Sequence, residues 1–182
     1  AESYSLKIIQ LIMPVRSHGI TYLENIIQEY NNDAPLVNEN ASAYLGIIGV
    51  IGFFILLIML FKRKTDKHES IEYSRIVALS ELNICAVLFG TIGGFGTVFF
   101  VFISQTLRGF NRISVYIAFF CITTVCIIFN VVLDKLIKKT DDKRIHAAYI
   151  TAVILFMLFG IWEQNPHIDI PYIHNYEQWT SD

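Results

Sequence analysis

Four long runs without a single charged side chain constrain this chain more than anything else in it. They occupy residues 41–61, 82–107, 113–133 and 147–162 of 182. The hydrocarbon core of a bilayer is about 30 Å thick, and roughly 20 mostly apolar helical residues cross it. The first three runs meet that length. The fourth falls a few residues short, but Ile145 and His146 extend it as far as Arg144. With 54% hydrophobic residues and a mean hydropathy of +0.50, the sequence predicts an all-α integral membrane protein. Its expected architecture is a bundle of four transmembrane helices (41–162), an external amphipathic N-terminal segment (1–40) and an external tail (163–182).

Lipid removes most of the hydrophobic drive that holds soluble helices together, so small residues and interhelical hydrogen bonds must do that work. Gly46, Gly49 and Gly52 recur every third residue in the first run, a spacing that lets a neighbouring backbone approach. The second run is the irregular one. As one straight helix its 26 residues would reach about 39 Å, longer than the core, and GTIGGFG at 90–96 weakens the helix at its middle. A tightly packed, tilted helix is the simpler expectation; a break sheltered by protein or water is the other. Thr123, Thr124 and Asn130 in the third run are expected to bond to backbone or neighbouring helices. Cys85, Cys121 and Cys126 all fall within the runs and read as buried thiols.

The net charge of −2 matters less than where the charges lie. Lys62, Arg63, Lys64, Lys67 and Arg75 follow the first run. Lys135, Lys138, Lys139, Lys143 and Arg144 follow the third, and residues 163–182 hold no Lys or Arg. The positive-inside rule makes both basic loops cytoplasmic. Both termini and the loop around Arg108 are then outside. Ahead of the first run, residues 6–13 form an apolar stretch ended by Pro14 and too short to span. Thr21 and Glu24 fit a capping box opening a second short helix. The chain starts at Ala1 without a methionine or a recognisable signal peptide, which reads as a piece of a longer polypeptide.

The most pointed group of polar residues is Arg108, Asn111 and Arg112. Spacings of three and four put them on one side if the third helix starts there. A helix start offers free amides and positive partial charge, and guanidinium groups add bidentate phosphate recognition. The alternative is that both arginines reach ordinary phospholipid headgroups. Arg16 and His18, beside Pro14 and Gly19, form a second candidate on the same side, with a surface loop as the plainer reading. His167, Asp169 and His174 are metal-ligand types without a recognised spacing, so no metal and no cofactor is expected. The sequon at Asn40 abuts the bilayer and reads as accidental. No paired catalytic carboxylates, Ser–His–Asp order, phosphate-binding glycine loop or nucleic-acid signature is present. Asp33, Glu39 and Glu163 each stand in an ordinary polar context.

Four runs carry a family likeness: LIMPVRSHG at 11–19, NENASAYLGIIG at 38–49, TIGGFG at 91–96 and LRGFNRISVYIAFF at 107–120. Together they resemble the later membrane section of large bacterial polytopic proteins that transfer or translocate sugars, with a GT-C-like membrane domain. The resemblance covers most of the chain through family-shaped runs, not catalytic signatures. It implies an inner-membrane location, a polyprenyl-phosphate-linked sugar as donor, and a donor-phosphate role for Arg108 and Arg112. It also implies an acidic base in a first external loop that would precede Ala1, so no catalytic residue carries over. Membrane lipids, the lipid-phosphate-linked sugar and other membrane helices or subunits are the partners implied. Two rivals stay open: a lipid-linked sugar flippase or transporter, and a non-catalytic scaffold subunit.

Overall fold

Helix periodicity accounts for every regular element found. The computed structural model describes residues 5–14, 22, 25–26, 29–30, 43–62, 70–103, 110–139 and 143–164. They form α1 (Ile8–Ile12), α2 (Gly46–Phe61), α3 (Ile71–Gly90), α4 (Phe95–Phe102), a 3-10 turn (Phe110–Ile113), α5 (Ser114–Lys139) and α6 (Lys143–Gln164). No strand occurs among the described residues; one isolated bridge joins Leu6 to Thr91. The fold is therefore all-α. Two helical stretches, Ile71–Gly90 and Ser114–Leu136, are long and apolar enough to cross a membrane. The apolar stretches Gly46–Phe61 and Tyr149–Glu163 are shorter.

The core is a three-helix seam in which buried positions recur every three or four residues on each helix. On α2 these are Gly46, Gly49, Gly52, Phe53 and Leu56. On α3 they are Ile76, Ser80, Asn83, Ala86, Val87 and Gly90, and on α5 Ile117, Cys121 and Thr124. That is the period of one helix face, and α2, α3 and α5 pack on one another along it. At Gly52 the backbones nearly touch: a Cβ built there would lie 2.3 Å from the Cys121 carbonyl oxygen. The glycine spacing is thus a packing device for α5. Of the three cysteines only Cys121 is buried; Cys85 and Cys126 are exposed, which corrects the expectation for those two. Polar groups in the seam bond locally. The Ser80 hydroxyl donates to the Leu56 carbonyl at 2.7 Å, and the Thr124 hydroxyl to the Phe120 carbonyl at 2.9 Å.

The second expected run is not one tilted helix. α3 begins eleven residues before it, at Ile71, capped by Ser70, whose Oγ accepts from the Tyr73 amide at 3.3 Å. Charged Glu72, Arg75 and Glu81 sit within α3, half-buried or exposed, so a charge-free criterion missed its first half. α3 stops at Gly90, and residues 91–94 turn the chain. Gly93 has φ +71, a region L side chains avoid, and a Cβ on Gly94 would lie 2.1 Å from the Leu88 carbonyl oxygen. The rings of Phe89 and Phe99 are 6.0 Å apart, whereas ten residues of continuous helix would rise about 15 Å. α4 therefore folds back beside the end of α3.

The N-terminal apolar stretch packs one side against the core. Its residues Leu6 and Leu11 are fully enclosed, while Ile8 and Ile9 are exposed. The expected capping box at Thr21 and Glu24 lies outside the described residues. α6 contacts both α2 and α5. It touches α2 where Gly160 meets Ile48, and α5 where Phe156 stacks on Phe129 at 5.3 Å.

Candidate functional site

Several chain segments converge at one end of the bundle. The Leu45 amide donates to the Leu11 carbonyl at 3.0 Å, which ties α1 to the start of α2. The Leu6 amide donates to Gly90, and the Ile92 amide donates back to Leu6, which ties the chain ahead of α1 to the end of α3. The 3-10 turn before α5 packs on α3, held by half-buried Ile113 against the core. This turn carries Arg112, whose side chain is exposed. Burial of Ile113 and exposure of its neighbour fix the guanidinium outside the bundle.

Of the five residues the sequence nominated, Arg112 is the one whose side chain is described. Asn111 contributes backbone to the turn, and its side chain lies outside the described set. Arg108, Arg16 and His18 lie wholly outside it, as do Asp33, Glu39, His167, Asp169 and His174. Residues 110–113, Asn111 and Arg112 among them, are wound as 3-10, and the α-helix begins at Ser114. Arg112 is thus presented from a 3-10 turn, three residues per turn, and the rest of the grouping lies outside the described side chains. Among the described residues no group of three His, Cys, Asp or Glu gathers where a metal ion could be held.

The residue that sequence reasoning undervalued is Glu163. Only 5% exposed, it lies near the end of α6 and reaches the start of α2. Its Oε1 accepts the Tyr44 hydroxyl at 2.7 Å, and its Oε2 accepts the Ile47 amide at 3.3 Å. Ile47 belongs to the first turn of α2, where amides lack helical partners and the helix end carries positive partial charge. A carboxylate there is both hydrogen-bonded and electrostatically favoured. The available signal was a lone carboxylate directly behind an apolar run; its partner, 119 residues away, was invisible. With both oxygens engaged, Glu163 acts as a clasp between α6 and α2.

A second polar feature lies inside the seam. The Cys121 thiol points to Asn83 Oδ1 at 3.9 Å, and Asn83 Nδ2 is buried with no hydrogen-bond partner among the described residues. Such an amide group is costly in apolar surroundings.

Comparison of the chain with protein-family models, curated proteins and solved structures finds no match.

Proposed function

We propose that this chain is the four-pass membrane section of a GT-C-like glycosyltransferase, moving a sugar from a polyprenyl-phosphate-linked donor to an extracytoplasmic acceptor. In this reading α2, α3, α5 and α6 cross the bacterial inner membrane. Both ends of the chain are outside, and the basic stretches after α2 and α5 are cytoplasmic.

One observation carries the reading: the position of Arg112. It is exposed at the head of α5, and Lys135, also exposed, stands near the other end. The helix rise from Arg112 to Lys135 is roughly 34 Å, enough to hold the ~30 Å core of a bilayer between two cations. A guanidinium at the outer boundary lies at the depth where a lipid-linked phosphate is presented. As the bond between sugar carbon and phosphate oxygen breaks, negative charge grows on the departing phosphate. A positioned guanidinium stabilises that charge more than the ground state. Arg108 is assigned the same role, with Asn111, Arg16 and His18 as further donor contacts. The base that activates the acceptor is not assigned to this chain.

Two measurements test this. In nanodiscs, Arg112→Ala is expected to weaken polyprenyl-phosphate binding by about tenfold or more, since a hydrogen bond to a charged group contributes about 1.5–3 kcal/mol. Arg112→Lys should recover part of the loss. Unchanged affinity in the alanine variant would favour the scaffold reading. For topology, cysteines replacing Arg112 and Lys135 are treated with a membrane-impermeant maleimide on intact cells. Position 112 should react and position 135 should not; equal labelling defeats the four-pass arrangement.

The break between α3 and α4 favours a second reading, a lipid-linked sugar flippase, because discontinuous helices build substrate sites in transporters. Against it, the Gly90 carbonyl and the Ile92 amide already bond to Leu6. Donor translocation across liposomes without sugar transfer would favour the flippase.

A further inference from the structure

Breaking a helix strands main-chain donors and acceptors, and this chain meets two of them with its own N-terminal region. Leu6 lies parallel to Thr91. Its amide donates to the Gly90 carbonyl at 2.8 Å, and its carbonyl accepts the Ile92 amide at 3.2 Å. Leu6 thus behaves as a one-residue strand laid against the turn. Five residues on, the Leu11 carbonyl accepts the Leu45 amide at 3.0 Å, and the side chains of Leu6 and Leu11 are both 0% exposed. The described main-chain bonds that tie this segment to the rest of the chain lie at one end of the bundle.

The partner surface is equally local. Ile92 and Gly93 are exposed, and α4 leaves Phe95, Val98, Val101 and Phe102 exposed. The three-helix seam is stitched by different contacts. Gly52 lies against Cys121, and Ser80 against Leu56; residues 5–13 take no part in either.

We propose that residues 5–13 form a strap, and that strap and helix break open and close as one unit, separately from the α2–α3–α5 seam. When the strap is docked, Leu6 holds residues 90–92 in place and α4 folds back on Phe89. When it lifts, the Gly90 carbonyl and the Ile92 amide lose their partners together, and the end of the bundle opens. Proteins open in contiguous cooperative units of differing stability. Here Leu6 is the shared part.

Hydrogen–deuterium exchange on the full chain in nanodiscs tests the coupling. Leu6→Asp places a charge in a fully enclosed position and should expel the strap. Amides of residues 6–13 and 90–94 are then expected to exchange about tenfold faster or more, together, while residues 50–56 and 117–124 keep their wild-type protection. Leu6→Ala removes apolar contact without adding charge and should give the same pattern at smaller amplitude. It serves as the readout if the aspartate variant does not insert. Wild-type protection at 90–94 with the strap released would overturn the proposal, because the break would then stand alone. Loss of protection at 117–124 in both variants would overturn it too, since the strap would then be an ordinary part of the core.

Discussion

A Gly52→Ala variant is expected to unfold at markedly lower temperature than the parent protein in the same detergent. Two effects compete at this position. Alanine favours the helix over glycine by about 1 kcal/mol. Against that, its Cβ would lie 2.3 Å from the Cys121 carbonyl oxygen and 2.7 Å from the carbonyl carbon. These are backbone atoms of α5, so no side-chain rotation relieves the contact. The helices must separate by about 1 Å along the seam, and overpacking of this kind costs about 1–3 kcal/mol. In the membrane reading proposed above, lipid supplies little hydrophobic drive between helices, so close packing is most of what associates them. The separation would also disturb Phe53 beside it and Leu56 one turn on, both enclosed. We expect a net loss near the upper end of that range. Gly160→Ala is the control: there a Cβ would meet only the flexible end of Ile48, at 3.4 Å. Equal unfolding temperatures for the two variants would show that α2 and α5 do not approach as described.

Loss of the Glu163 clasp should be at least as large an effect. Glu163→Ala removes a charged acceptor from the Tyr44 hydroxyl and the Ile47 amide. Hydrogen bonds to charged groups contribute about 1.5–3 kcal/mol each before relaxation, and abandoned partners add their own desolvation cost. The consequence should concentrate on α6. Its side chains Ile150, Leu155, Met157, Leu158 and Ile161 are all exposed, so little packing opposes its departure. Tyr44→Phe cuts one of the two bonds and should lose less. In a double-mutant cycle the pair should couple by about 1 kcal/mol or more, as directly contacting groups do. Strictly additive losses would mean that Tyr44 and Glu163 act independently and that no clasp exists.

Much of the helical layout was legible because it depends on composition along the chain. The run at 113–133 becomes the body of α5, and the run at 147–162 lies within α6. The glycine spacing at 46, 49 and 52 pointed to a close helix approach, and α5 supplies it. Thr124 was expected to bond to backbone or to a neighbouring helix, and it bonds to the Phe120 carbonyl of its own helix. The run at 82–107 was misread for a local reason. Ser70, Glu72 and Arg75 begin a helix at an end where charge costs little, while Gly93 and Gly94 end its continuation by conformation and space.

Other features were illegible because they join residues far apart in sequence. Nothing near Glu163 shows that Tyr44 and the start of α2 will take both its oxygens. Nothing near Leu6 shows that its main chain will complete a broken helix 84 residues later. At the candidate site the sequence gathered Arg108, Asn111, Arg112, Arg16 and His18 by residue type. The structure fixes the setting of Arg112 alone, on a 3-10 turn anchored by Ile113.

By itself, the sequence determined helix type and approximate placement, since apolar length and periodicity are properties of contiguous residues. The tertiary structure alone decided which helices touch, where the second run breaks, and which carboxylate is enclosed. Those outcomes depend on backbone groups finding partners across the bundle, and an unpaired buried N–H, carbonyl or carboxylate costs too much to be left to local preference.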